Sequence, residues 1–133
     1  MTSHGYSGKP LSEKLGIKAG MRCALLHAPE GFAAASLADL PSGASLTDAP
    51  PAEIALLFVT ETAVLSSEFP ALGETAPTGG ALWVVWPKKT SKKATDLTDN
   101  RVREVCLPTG WVDVKVCAVD ETWSGLKFLR RKS

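Results

Sequence analysis

The sequence predicts an α/β fold with three layers: a mostly parallel sheet, helices on both of its faces, and an antiparallel hairpin strand at the C-terminal end. Two continuous apolar runs, Ile54 to Val59 and Ala81 to Trp86, are typical of strands covered on both faces. Segments with helical periodicity separate the strand-like runs along the first two thirds of the chain. Near the C-terminus, Val112 to Val119 and Leu126 to Leu129 alternate in the way that indicates two antiparallel strands.

The first half of the chain alternates helix-like and strand-like segments. A short helix is predicted from Pro10 to Leu15, because proline is favourable in the first turn and a glycine follows the last leucine. Arg22 to His27 is a compact apolar run and is predicted as the first strand. A helix from Phe32 to Leu40 follows directly, and Ala44 to Thr47 is predicted as a short peripheral strand.

Two further helices are predicted after the central strands. One spans about Thr62 to Leu72 and is expected to be interrupted by Pro70, which cannot donate a backbone hydrogen bond. The other begins after a cap at Asp96 or Thr98 and ends at Pro108. With right-handed crossovers, all strands except the last are expected to run in the same direction.

Length and charge restrict the class of protein. A chain of 133 residues is expected to form one domain over 1–133, with a flexible tail at 1–9. The formal net charge of +1 provides no global attraction for nucleic acid or anionic membranes. The N-terminus lacks the apolar stretch of a signal peptide, and no apolar run is long enough to span a bilayer. The expected location is the cytoplasm.

The three cysteines, Cys23, Cys106 and Cys117, are widely separated and lie in apolar segments. An odd number without paired spacing predicts free, mostly buried thiols in a reducing compartment. Neither the cysteines nor the two histidines, His4 and His27, have the spacing of a metal site, and no catalytic triad can be assembled from the sequence.

The order of the elements resembles the core of a class I methyltransferase, which implies a shortened Rossmann-like topology. Four segments also resemble an uncharacterised bacterial family, a domain of unknown function. These segments are GYSGKPLSEKLGIKAGM (Gly5 to Met21), ALWVVWPKK (Ala81 to Lys89), TDLTDNRVREV (Thr95 to Val105) and VDVKVCAVDETWSGLKF (Val112 to Phe128). That second resemblance implies no activity.

A candidate site is predicted where the strands end, because ligands of open α/β sheets gather at the carboxyl ends of the parallel strands. The ligand-binding candidates, all placed by this argument at or near that edge, are His27, Glu30, Gly31, Asp48, Thr60, Lys88, Lys89, Asp120, Glu121 and Trp123. No catalytic residue can be assigned among them, and no cofactor is predicted.

The loop after the first strand disfavours a cofactor. A dinucleotide or S-adenosylmethionine site needs glycines and free backbone N–H groups there. The loop has only Gly31, Pro29 has no N–H, and Glu30 places negative charge where an anionic group would lie. Asp48 favours a cofactor, since an acidic residue after the second strand could bind a ribose, although Asp before prolines is also ordinary turn chemistry.

The remaining candidates each have a structural and a functional interpretation. The lysine-rich segment from Lys88 to Lys93 is typical of a solvated loop, although strand geometry aims Lys88 and Lys89 at the crevice, where they would favour an anionic ligand. Asp120 and Glu121 are adjacent and would point to opposite faces, which is a poor arrangement for an acid and base pair. Trp123 could stack on a ligand, or it could cap the hairpin core.

Two main functional hypotheses remain. The first is a non-catalytic Rossmann-like module that binds a protein partner or a small anionic ligand at the carboxyl edge of its sheet. The alternative is a divergent S-adenosylmethionine-dependent methyltransferase, with Gly31 and Asp48 as cofactor contacts. Nucleic-acid binding through Lys88 to Lys93 ranks last, because no aromatic or zinc motif accompanies the lysines.

Overall fold

The computed structural model describes residues 10–131 and contains four α-helices and six strands in that range. The helices are α1 (Leu11–Leu15), α2 (Phe32–Ser36), α3 (Thr62–Thr75) and α4 (Asp99–Cys106). The strands are β1 (Arg22–Leu26), β2 (Ser45–Thr47), β3 (Ile54–Phe58), β4 (Ala81–Pro87), β5 (Trp111–Ala118) and β6 (Trp123–Arg130). The tail predicted at 1–9, with His4, lies outside the described residues.

All six strands form one sheet in the order β2-β1-β3-β4-β6-β5. Strands β2, β1, β3 and β4 pair parallel, whereas β6 pairs antiparallel with both β4 and β5. Strand β5 therefore runs in the direction of β4 without pairing with it, and among these six strands β6 alone runs in the opposite direction. The predicted strand directions are confirmed.

Helices cover both faces of the sheet, which confirms the three-layer α/β fold. Helices α1 and α2 place Leu15 and Phe32 in a buried cluster with Leu56 and Trp83. Helix α3 places Phe69 in a second cluster on the opposite face, together with residues of α4 and the alternate strand positions. Within residues 10–131, no helix combines the length and the apolar character needed to cross a lipid bilayer.

The helix that begins at Thr62 differs from the prediction, because it continues through Pro70 as far as Thr75. Proline removes the hydrogen bond to the carbonyl of Ser66, but Ser66 and Pro70 both lie on the exposed side of the helix. Water can hydrogen bond to that carbonyl, so the break is not required. Helix α2, in contrast, ends at Ser36 rather than Leu40, since the buried Leu37 has a non-helical φ of −124°.

Of the two N-cap residues predicted for α4, Asp96 and Thr98, the structure shows Thr98. The Thr98 side chain accepts a hydrogen bond from the Arg101 N–H at 3.1 Å, so Thr98 is the N-cap. The Asp96 carboxylate instead accepts from the Thr62 N–H at 2.8 Å, at the first turn of α3. The segment from Asp96 to Thr98 thereby stabilises the N-termini of both α3 and α4.

The cysteines are free, as predicted, with Cys23 and Cys106 buried and Cys117 half-buried. Burial raises the pKa of the Cys23 and Cys106 thiols to about 12. Burial also raises the pKa of Cys117, although the neighbouring lysines Lys115 and Lys14 oppose that change. At neutral pH the two buried thiols are protonated and behave as small apolar side chains.

Candidate functional site

A cleft of about 410 Å³ lies at the carboxyl ends of β1 and β3, beside the turn that joins β5 to β6. It is lined by His27, Phe58, Val59, Thr60, Val64, Glu68 and Trp123. The residues come from four separate parts of the chain, which the parallel strands and the hairpin bring to one edge. This is the position where open α/β sheets bind ligands.

The floor of the cleft is aromatic and fixed by packing. The Phe58 ring makes edge contacts with Trp123 at 5.1 Å and with Phe32 of α2 at 4.9 Å between ring centroids. Trp123 is only 7% exposed, because the hairpin turns its ring into the same cluster. The floor can therefore contact an apolar body without moving.

A histidine and a carboxylate pair at the rim. The Nε2 atom of His27 lies 2.7 Å from Oε1 of Glu68 on α3, and both side chains are substantially exposed. The backbone of His27 has a φ of +62°, a left-handed conformation that is uncommon for a residue with a side chain. This backbone conformation follows the end of β1. The His27 side chain there contacts Glu68, which is 41 positions away in the sequence.

Residues 88–96, which we call the basic strap, lie beside the cleft, where they contact Thr60 and Trp123 of its lining. The strap is held at one end by the Lys88 N–H, which donates to the Thr122 carbonyl at 2.8 Å. At the other end, the Thr95 hydroxyl donates to the Thr60 carbonyl at 2.7 Å. Between these points, Lys93 Nζ lies 6.0 Å from the centre of the Trp123 ring. The strap thus brings one ammonium group to the cleft.

Three of the predicted site residues, His27, Thr60 and Trp123, line the same cleft. Lys88 is half-buried beside the hairpin and Lys89 is exposed, and neither lines the cleft. The Asp120 carboxylate accepts hydrogen bonds from the N–H groups of Thr122 and Trp123, each at 2.8 Å. Asp120 therefore shapes the turn that delivers Trp123.

The candidates of the β1–α2 loop lie apart from the cleft. Glu30 and Gly31 are exposed, and Gly31 has a φ of +83°. The Phe32 N–H donates to the Pro29 carbonyl at 3.1 Å, so the loop uses that donor internally. Asp48 is exposed beyond β2 and Glu121 is exposed at the hairpin turn, and neither lines the cleft.

Five residues at the site were not predicted from the sequence: Phe58, Val59, Val64, Glu68 and Lys93. Phe58 and Val64 have the pattern of core residues, which gives no functional signal. Val64 and Glu68 are four residues apart on α3 and so share one face of the helix. If Val64 had been placed at the cleft, this spacing would have predicted that Glu68 lies there too. Nothing in the sequence links Glu68 to His27.

The comparisons with known proteins bear on the fold. No family model matches the sequence, and no curated protein matches it either. An S-adenosylmethionine-dependent methyltransferase from Aquifex aeolicus is similar in structure, with a TM-score of 0.62 and 10% identity over 87% of this chain and 85% of that chain. Magnesium protoporphyrin IX methyltransferase from Synechocystis, with bound S-adenosylmethionine, gives a TM-score of 0.54 and 10% identity, covering 90% of this chain and 74% of the enzyme.

TrmN from Thermus thermophilus gives a TM-score of 0.61 and 11% identity over 90% of this chain, which spans only 47% of that structure. Identities this low show shared architecture and not shared chemistry. The resemblance to a bacterial family stays a prediction. The chain has the Rossmann-like fold of the class I S-adenosylmethionine-dependent methyltransferases.

Proposed function

We propose that this chain is a non-catalytic module that binds a small anionic organic ligand in the cleft. The observation that carries the proposal is the combination of a packed aromatic floor with an ammonium group at its edge. Phe58 and Trp123 form the floor, and Lys93 lies beside Trp123. In the part of the chain that the structure describes, no carboxylate forms an ion pair with Lys93.

The two sides of the cleft favour one orientation of the ligand. Glu68 is paired with His27 on the α3 side, and its negative charge disfavours an anionic group there. Lys93 on the strap side favours one. An apolar body would therefore cover the floor near Val64, with its anionic group directed towards Lys93. The cleft volume of about 410 Å³ lies in the range of small-molecule sites.

The loop geometry supports binding without catalysis. The β1–α2 loop presents Pro29, which has no N–H, and an exposed Glu30 where a cofactor would need donors. Helix α2 has only five residues. The cleft lining contains no serine or cysteine that His27 could activate as a nucleophile.

The binding mode is testable with 1-anilinonaphthalene-8-sulfonate, a fluorescent probe with an apolar aromatic body and one anionic group. The native protein is expected to bind it, and Lys93→Glu is expected to weaken binding about tenfold, equivalent to about 1.4 kcal/mol. Val64→Gln should also weaken binding, because it places a polar amide on the apolar floor without adding charge. Fluorescence titration at constant ionic strength measures both effects.

The matched control is Lys92→Glu, because Lys92 is exposed on the same strap and does not contact the Trp123 ring. Both charge reversals change the net charge equally, so only a local contact separates them. Equal affinities for the Lys92 and Lys93 variants would contradict the proposed site, as would unchanged affinity in Val64→Gln.

The second candidate function is a divergent methyltransferase, which the fold and the position of the cleft favour. Millimolar S-adenosylmethionine is expected to leave the Tm unchanged, because Pro29 has no N–H, the Phe32 N–H is used within the β1–α2 loop, and Glu30 disfavours an anionic group there. A ligand at about 100 times its Kd would stabilise the protein by about 2.7 kcal/mol, or several degrees. A rise of that size, abolished by Asp48→Ala, would contradict the non-catalytic proposal and support the methyltransferase.

A further inference from the structure

Three lysines from separate elements meet on the sheet face that carries α1. Lys115 of β5 and Lys127 of β6 are direct cross-strand partners. Lys115 Nζ donates to the carbonyl of Lys14 in α1 at 2.9 Å. Lys127 Nζ lies 3.1 Å from the point where a Cβ atom on Gly16 would be. Lys18 follows in the turn after α1, so all three surround one end of that helix.

The positive charges of this cluster are not balanced nearby. None of the ion pairs within residues 10–131 includes Lys18, Lys115 or Lys127. Burial lowers the pKa of Lys127, and the charges of Lys115 and Lys18 lower it further. Like charges opposite one another on neighbouring strands destabilise a sheet. Clustering these lysines therefore costs folding free energy.

Capping of α1 explains only one of the three side chains. Lys115 satisfies a carbonyl of the helix end, which is an ordinary role for lysine at that position. Neither Lys18 Nζ nor Lys127 Nζ has a hydrogen-bond acceptor among the described residues. An external anion would supply what both lack. We propose that Lys18, Lys115 and Lys127 form a binding site for a compact, multivalent anion of the phosphate class.

The arrangement favours a compact anion over an extended polyanion. The three lysines come from a turn and two strands and surround Gly16, whereas a groove for nucleic acid would need a longer track of basic residues. The site is also separate from the cleft. Lys127 pairs with Trp83, and Trp123 pairs with Pro87 four residues further along β4, a separation of about 14 Å along the strand.

Isothermal titration calorimetry with sodium tripolyphosphate tests this site in the whole chain. We expect saturable binding by the unmodified protein, at least tenfold weaker binding by Lys127→Met and Lys115→Met, and no change in Lys92→Met. Lys127→Met without ligand should have a higher Tm, because it removes the unpaired charge while keeping the apolar stem. Sodium chloride at equal ionic strength is the blank.

Two results would overturn the proposal. One is tripolyphosphate binding that matches the chloride blank or persists in both methionine variants. The other is binding of a twelve-nucleotide oligothymidylate that is tighter than tripolyphosphate binding and depends on the same lysines. That result would show that the cluster binds extended nucleic acid. Binding of 1-anilinonaphthalene-8-sulfonate should be unchanged in Lys127→Met, so the outcome is independent of the cleft.

Discussion

Replacing Trp83 with alanine is expected to lower the free energy of unfolding by about 3–5 kcal/mol, enough to unfold much of a marginally stable domain. Trp83 is completely buried in β4, and its Nε1 atom donates to the Leu15 carbonyl at 3.0 Å. Its ring also covers Gly125, where a Cβ atom would approach to 3.0 Å. One side chain therefore connects α1, β4 and β6.

Trp83→Phe separates the hydrogen bond from the packing. Phenylalanine keeps most of the apolar volume but leaves the Leu15 carbonyl without its donor, so a smaller loss than in Trp83→Ala is expected. Urea denaturation followed by circular dichroism measures both variants. A loss below about 1 kcal/mol in Trp83→Ala would show that the core relaxes around the cavity and that Trp83 does not hold α1 in place.

Replacing Gly73 with valine is expected to cost about 1–3 kcal/mol through overpacking. A Cβ atom at Gly73 would lie 2.8 Å from Nε1 of Trp111, which is a direct clash. The Trp111 ring cannot move away easily, because Arg130 stacks on it at 4.6 Å and donates to the Gly73 carbonyl at 3.0 Å. Helix α3 thus packs directly against Trp111 of β5 at a position where the helix has no side chain.

Helix propensity alone predicts that replacing Gly73 with alanine raises the stability, whereas the contact with Trp111 predicts that it lowers the stability. In an exposed helix interior, glycine to alanine would stabilise by about 1 kcal/mol. We expect Gly73→Ala to destabilise instead, and to be tolerated better in a Trp111→Phe background, where the indole nitrogen is absent. Thermal denaturation of the four proteins forms a double-mutant cycle, and additive effects would show that Gly73 and Trp111 do not interact.

The fold was predictable where burial alone determines the pattern. The apolar runs in β3 and β4 have one interpretation in a chain of alternating elements, and the hairpin of β5 and β6 follows from its alternation. The position of β6 between β4 and β5 was not predictable, because strand order depends on contacts between distant segments. The continuation of α3 past Pro70 depends on which side of the helix meets water, and local propensity does not contain that information.

The lining of the candidate site was predictable only where topology places residues. His27, Thr60 and Trp123 meet because each follows or begins a strand at one edge. Glu68 lines the cleft from a helix, and Lys93 lies beside its Trp123 ring from the basic strap; sequence periodicity predicts neither position. Asp120 was predicted for its charge, whereas the structure uses its carboxylate to bond two backbone N–H groups of the turn.

The position of β6 within the sheet affects how the protein can fold during synthesis. Ribosomes make β5 before β6, yet β5 has no partner in the sheet until β6 pairs with β4. Until Trp123–Arg130 has emerged, the nascent chain exposes the apolar edge of β4 and an unpaired β5. The nascent domain is therefore most prone to aggregation just before its last strand is released, and binding of a chaperone would be most useful at that stage.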